Sequence, residues 1–134
     1  MSDRFRFGVD VLDYLFFGDV PRNSLVVLEG SGGSGKSILA LYIAKGFLSR
    51  GEEVVYVELD DDVDTLREGF GSIGVDADKA VSEGKLYILD GFSFRMRGRP
   101  GKHPLAYDEV NPTNIEVLQT KILSALDTAK MYRR

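Results

Sequence analysis

The chain has 134 residues, of which 43% are hydrophobic and 28% charged, a composition typical of one modest globular domain. Its net charge of -4 argues against a general nucleic-acid-binding surface, because such a surface needs a positive field. The lack of cysteine excludes disulfides and thiolate metal sites, and a single histidine disfavours a histidine-rich metal site. We find neither a signal-peptide pattern nor an apolar run of about 20 residues, and therefore expect a cytoplasmic protein without a membrane span.

The first half of the chain alternates between predicted strands and helices. Residues 24–30, SLVVLEG, form an apolar run typical of a strand that is buried on both faces. A glycine-rich turn follows, and apolar side chains then recur at helical spacing until Gly51, where the helix is expected to stop. Residues 52–59, EEVVYVEL, predict a second strand, and Asp62 is the predicted N-cap of the next helix.

The second half contains one more predicted strand, a long loop and a final helix. Residues 85–91, KLYILDG, predict a third buried strand, whereas residues 92–111 carry glycine, proline and five basic side chains and predict a loop. Thr113 and Glu116 form a capping-box pair before a helical stripe that runs to Ala129. The order β-α-β-α-β-loop-α predicts an α/β fold with a parallel sheet covered by helices. Because the last helix has no strand to return to, we expect a sheet that is incomplete or completed by a partner.

Residues 30–37, GSGGSGKS, match the phosphate-binding (Walker A) pattern G-x-x-x-x-G-K-[ST] at every fixed position. The glycines let backbone N–H groups surround phosphate oxygens, and the helix that follows adds its positive end. Lys36 is expected to reach the β- and γ-phosphates, and the Ser37 hydroxyl to hold Mg²⁺. A glycine-serine turn would match by accident on the order of one per cent of the time in such a chain. The predicted nucleotide-binding residues are Gly30, Ser31, Gly32, Gly33, Ser34, Gly35, Lys36, Ser37 and Ile38.

The flanks of this motif resemble the RecA-like ATPases of the KaiC type, which are common in archaea. The resemblance runs over nearly the whole chain and is strongest from Gly8 to Asp61. Two residues depart from the family pattern, since Asp19 and Asn23 stand where glycines are usual. The matching residues of the lead-in are Gly8, Leu12, Asp13, Leu15, Gly18, Val20, Pro21 and Ser24.

The resemblance implies a P-loop NTPase (RecA-like) three-layer fold with a parallel sheet, which is incomplete in this chain. It implies a single partial domain over residues 1–134, with residues 1–23 as an N-terminal lead-in and residues 24–134 as the P-loop core. It further implies ATP and Mg²⁺ as ligands and a homo-oligomer. In the family the Walker B strand packs near the P-loop strand and would lie beyond residue 134. We therefore expect an exposed sheet edge that pairs or swaps with another copy, unless the chain is a truncation product.

The family carries a Glu-Glu pair after its second strand that polarises the attacking water, and the matching residues here are Asp60 and Asp61. Together with Lys36 they form the catalytic set that the resemblance implies. Aspartate is one methylene shorter than glutamate, and catalytic geometry is sensitive on the scale of about 1 Å. Slow and efficient hydrolysis are therefore both open. In the alternative interpretation, Asp60, Asp61 and Asp62 only cap the helix that begins at Val63.

Two further features have a functional and a structural interpretation. Asp90 ends LYILD, which fits a Walker B strand, but the family places that aspartate after the last helix, so a structural role is favoured. The loop after Asp90 interleaves aromatic and basic side chains, which suits stacking on single-stranded nucleic acid or an arginine finger. A mobile, solvated loop is favoured over both, with His103 exposed. The loop residues concerned are Phe92, Phe94, Arg95, Arg97, Arg99, Lys102 and His103.

These features predict an ATP-binding module that hydrolyses ATP in an oligomer. The alternative is a nucleotide-dependent switch or scaffold that binds ATP with little turnover. A P-loop kinase for a small molecule fits the flanks poorly, and the sequence supports neither DNA strand exchange nor binding to nucleic acid or membrane.

Overall fold

A computed structural model describes residues 4–22, 24–29, 36–96 and 101–129, with Lys36 described by its backbone alone. In chain order the elements are β1 (Arg4–Phe5), α1 (Asp10–Leu15), β2 (Val20–Pro21), α2 (Lys36–Ser49), β3 (Val54–Glu58), α3 (Val63–Ser72), α4 (Ala77–Ser82), β4 (Leu86–Asp90), a 3₁₀ turn (Ser93–Arg95), β5 (Ala106–Glu109) and α5 (Ile115–Ala129). The predicted α/β class is confirmed.

The main sheet has three parallel strands in the order β3-β4-β5. Val54 lies opposite Leu86 and Glu58 opposite Asp90, so the two longer strands pair over their full lengths. Asp90 in turn lies opposite Glu109 at the end of β5. The parallel arrangement brings the carboxyl ends of all three strands to one edge of the sheet, where α/β proteins place their ligand sites.

The main core lies between the sheet and the helices that follow its strands. Leu66 and Phe70 of α3 are buried against Leu86 and Ile88 of β4, and Leu41 of α2 completes the contact. This packing follows from the sequence, because apolar residues on one stripe of each helix meet the near-continuous apolar run of β4.

The N-terminal lead-in forms a second, smaller core with α2. Phe7, Leu12 and Val20 are buried there. The Asp13 carboxylate accepts hydrogen bonds from the backbone N–H groups of Phe7 at 2.8 Å and Gly8 at 3.2 Å, which fixes the turn before α1. A Cβ at Gly46 in α2 would stand 2.2 Å from the Phe7 carbonyl oxygen, so only glycine allows this close approach of helix and lead-in.

Two predicted elements differ from the structure. Residues 24–29 contain no strand, and Leu25 and Val27 are 92% and 68% exposed, so the buried strand predicted over residues 24–30 is wrong for the part that is described. A strand forms only where a neighbouring strand pairs with its backbone. Within the described segments β3 pairs with β4 alone, so residues 24–29 have no strand beside them. The predicted strand over residues 85–91 is β4. The three-stranded sheet is completed by β5, which lies inside residues 92–111, a segment that was predicted as a loop.

The helix caps were predicted correctly at α3 and wrongly at α5. Asp62 Oδ1 accepts the Thr65 backbone N–H at 2.8 Å, as an N-cap should. At α5 the cap is Asn114, whose Oδ1 accepts the Val117 N–H at 3.2 Å, whereas the Thr113 hydroxyl donates to Asn111. Asn114 takes the place because it directly precedes the first helical residue.

Candidate nucleotide site

A cavity of about 370 Å³ lies between the start of α2 and β3. Ser37 and Ala40 line it from α2, and residues 55–60 line it from the strand and the turn that follows. It thus brings the predicted Mg²⁺ ligand Ser37 to the same space as the predicted catalytic residue Asp60. The two residues converge because one begins the helix and the other follows the carboxyl end of a parallel strand.

The beginning of α2 borders this cavity, and the N-terminus of a helix favours anions. The first N–H groups of a helix have no intrahelical partner and carry the positive end of the helix dipole. Ser37 and Ile38 lie in this first turn and are exposed. The predicted phosphate-binding residues 30–35 lie outside the described residues, and so does the side chain of Lys36. The predicted phosphate contacts therefore stay a prediction.

The turn between β3 and α3 carries the acidic residues of the site. Asp60 and Asp61 are both exposed, and of the two Asp60 alone lines the cavity. Asp62 caps α3. The capping interpretation thus holds for Asp62 alone among the three aspartates, and Asp60 is the one placed toward Ser37.

Glu58, which sequence reasoning missed, is also part of the cavity wall. Its Oε2 accepts the Asp60 backbone N–H at 3.1 Å. Burial raises the pKa of Glu58, and the negative charges of Asp61 and Asp60 act in the same direction, against the hydrogen bonds from their backbones. The signal in the sequence was a charged residue at the end of an otherwise apolar strand.

Burial and a neighbouring charge also change the pKa of Tyr56, which lies two residues earlier on β3. Burial raises the pKa of Tyr56 to about 12, with a smaller contribution from the charge of Glu58. The ring packs edge-on against Phe70, with centroids 5.6 Å apart. Tyr56 also lines the cavity.

Asp90 has the structural role that was favoured for it. Its side chain is fully buried, and Oδ1 accepts the backbone N–H groups of Phe92 at 3.0 Å and Ser93 at 2.9 Å. Oδ2 is buried without a hydrogen-bond partner within the described segments, and Asp90 does not line the cavity with Ser37. These bonds shape the turn that follows β4, as an aspartate does in an Asx turn.

His103 is not simply exposed, as the sequence led us to expect. Its side chain is 24% exposed, and Nε2 lies 2.8 Å from Asp64 Oδ1. Nδ1 accepts the Leu105 backbone N–H at 3.0 Å, so the ring proton of the neutral imidazole is on Nε2. The Arg95 guanidinium lies over the rings of its own neighbours Phe92 and Phe94, at 5.0 and 5.4 Å. Arg95 and His103, which were predicted to lie in a solvated loop, therefore contact other side chains of the same chain.

The described ranges contain neither a preformed metal cluster nor a membrane-spanning helix. No group of three or more acidic or histidine side chains in residues 4–22, 24–29, 36–96 and 101–129 is arranged to hold a metal ion. In the same ranges no helix has the length and apolar character needed to cross a membrane. Mg²⁺ at phosphate sites is commonly held by one or two protein groups together with phosphate oxygens and water.

Comparison with known proteins identifies the family of this chain. The sequence model of the family described as ATPase: KaiC matches residues 5–133. The chain belongs to the KaiC family of ATPases. The assignment confirms the resemblance of the lead-in and the P-loop segment, and with it the RecA-like α/β fold.

Curated relatives of this KaiC-family chain include UPF0273 proteins from several organisms. One from Pyrobaculum aerophilum is 38% identical over 90 residues, which cover 67% of this chain and 32% of the relative. One from Methanocaldococcus jannaschii is 29% identical over 122 residues, which cover 89% of this chain and 50% of the relative. One from Pyrococcus furiosus is 30% identical over 93 residues, covering 69% and 38%. The aligned part spans between about a third and a half of the length of these relatives.

Proposed function

We propose that this KaiC-family chain binds ATP with Mg²⁺ at the cavity between α2 and β3 and hydrolyses it. The observation that carries the proposal is the shared cavity, because Ser37 from the P-loop helix and Asp60 from the carboxyl end of β3 both line it. A phosphate group there would meet the beginning of α2, and a water molecule beside it would meet a carboxylate.

Each predicted residue then has one role. The glycine-rich turn and Lys36 hold the phosphates, and the Ser37 hydroxyl is a ligand of Mg²⁺. Mg²⁺, when bound, offsets negative charge on the phosphate oxygens. Asp60 orients a water molecule for attack on the γ-phosphorus, so that a new P–O bond forms as the bond to the ADP oxygen breaks. The products are ADP, inorganic phosphate and a proton released to solvent.

We further propose that the protein works in the cytoplasm as a homo-oligomer. Apolar side chains are exposed on and after α1, and Phe17 is 98% exposed with a left-handed φ of 56°. Apolar side chains that are exposed close together in sequence are candidates for a contact surface. These side chains belong to Val11, Tyr14, Leu15 and Phe17. The edge of β3 that has no partner strand among the described residues is a second candidate contact, through pairing with another copy.

The second candidate function is a switch or scaffold that binds ATP with little turnover. The observation in its favour is the turn after β3. Asp60, whose side chain is shorter than the glutamate usual in the family, lines the cavity there, and Asp61 does not line it. Binding through the P-loop would be unaffected, and water activation would be weak.

Phosphate release from the purified chain tests both functions, with Lys36→Ala as the control. The hydrolytic proposal expects release above the Lys36→Ala background and its loss in Asp60→Asn. A fluorescent ATP analogue measures binding separately, and Asp60→Asn should bind it like the native chain. Native release no faster than that of Lys36→Ala, with tight analogue binding, would instead support the switch.

A further inference from the structure

Glu58 joins the sheet to the turn that carries the candidate catalytic carboxylate. Its carbonyl oxygen accepts the Gly91 backbone N–H at 2.8 Å, which fixes the end of β3 against the end of β4. Its side chain turns forward and accepts the Asp60 backbone N–H at 3.1 Å. The main chain of Glu58 is thus held by the sheet, while its carboxylate holds the peptide of the residue that lines the cavity.

The end of the neighbouring strand β4 shows the same kind of carboxylate–backbone contact. Asp90, which lies opposite Glu58 in the parallel register, accepts the backbone N–H groups of Phe92 and Ser93 through one carboxylate oxygen. Glu58 and Asp90 therefore each hold the turn that follows their own strand. The turn after β4 does not line the cavity with Ser37, whereas the turn after β3 does.

We propose that Glu58 is a positioning residue of the candidate site, which sets the place of Asp60 relative to Ser37. The proposal rests on the hydrolytic function proposed above. Glu58, Asp60 and Ser37 line one cavity, so a shift of the turn moves one wall of the site against the other. Rates depend on such placement, since a displacement of about 1 Å can cost on the order of 10²-fold.

Three substitutions separate this role from a merely structural one. Glu58→Gln keeps an oxygen that accepts the Asp60 N–H, whereas Glu58→Ala removes it and Glu58→Met removes it while retaining most of the volume. Glu68→Ala is the matched control, because Glu68 is an exposed glutamate on α3 away from the cavity. All are compared with the native chain for phosphate release and for the affinity of a fluorescent ATP analogue.

We expect kcat to fall roughly tenfold or more in Glu58→Ala and Glu58→Met, with analogue affinity within about twofold of native. Glu58→Gln should restore most of the rate, and Glu68→Ala should leave it unchanged. Hydrogen exchange at the Asp60 amide gives a readout that does not depend on activity. It should be faster in Glu58→Ala and Glu58→Met than in the native chain, and slowed again in Glu58→Gln.

The outcomes distinguish this proposal from the one on which it rests. Hydrolysis that is equal in native, Glu58→Ala and Glu58→Met chains would overturn the role of Glu58 and leave the ATPase function standing. An Asp60 amide that exchanges equally in all of them would overturn it as well. Native phosphate release no faster than that of Lys36→Ala would refute hydrolysis itself, and with it any effect of Glu58 on rate.

Discussion

His103 Nε2 and Asp64 Oδ1 lie 2.8 Å apart and tie the segment after residue 100 to the first turn of α3. The other ring nitrogen accepts the Leu105 N–H, a bond within the segment that fixes the orientation of the imidazole toward Asp64. The predicted basic loop is therefore anchored at this end.

The first prediction follows from this anchor. His103→Ala should lower the free energy of unfolding by about 1–2 kcal/mol, because two hydrogen bonds are lost at about 1 kcal/mol each. Urea unfolding measures the change. Asp64→Asn is the control, since its amide oxygen still accepts from Nε2, and it should stay within about 0.5 kcal/mol of native. Equal stability of native and His103→Ala chains would contradict the anchoring role.

A second prediction concerns the Asp62 cap of α3. Asp62→Ala should cost about 1 kcal/mol, as N-cap removal usually does, while Asp62→Asn should cost little. Hydrogen bonds from Thr65 lower the pKa of Asp62 in the folded chain, so its extra stabilisation is present above the unfolded pKa and is lost as pH falls through the folded value. Urea unfolding between neutral and acid pH should therefore show a smaller loss for Asp62→Asn than for native, and parallel curves would refute this.

Gly91 gives a third prediction, which concerns the space at the end of β4. A Cβ there would stand 2.5 Å from Leu59 Cδ2 and 3.1 Å from the Glu58 carbonyl oxygen. Gly91→Ala should therefore destabilise the chain by about 1–3 kcal/mol, the usual cost of overpacking.

Gly71→Ala is the matched control for Gly91→Ala. Nothing lies within 4 Å of a Cβ at Gly71, which is in the last turn of α3, so alanine should stabilise the helix by about 0.5–1 kcal/mol. The two variants should shift the urea midpoint in opposite directions. A midpoint shift of the same sign in both would show that the clash at Gly91 is relieved without cost.

The parts of the fold that were predicted correctly are those set by local pattern. The apolar run of β4, the stripe of α5 and the Asp62 cap are each visible within a few residues. β5 was missed because only Ala106 of its four residues is buried, and its pairing with β4 depends on residues distant in sequence. The strand over residues 24–30 failed for the same reason, since an apolar run becomes a strand only where a neighbour pairs with it.

The candidate site, too, was predictable only where a local pattern in the sequence marked the residue. The meeting of Ser37 and Asp60 was predictable, because a motif fixed one and a strand end fixed the other. The contact of Glu58 with the site was not predictable, because its bond to the Asp60 N–H depends on the shape of the turn rather than on residue spacing. His103 was misplaced because no pattern links it to Asp64, which lies on a different element.

The last prediction tests the proposed metal ligand. Ser37→Ala removes the hydroxyl at the first turn of α2, whereas Ser37→Thr retains it. With Mg²⁺ present, Ser37→Ala should bind a fluorescent ATP analogue roughly tenfold more weakly than native, since one lost bond to a charged group is worth about 1.5 kcal/mol or more. In excess EDTA the native and Ser37→Ala chains should bind it about equally, and Ser37→Thr should follow native in both conditions. A loss of affinity in Ser37→Ala that is the same with and without Mg²⁺ would place the hydroxyl on the phosphates instead of the metal.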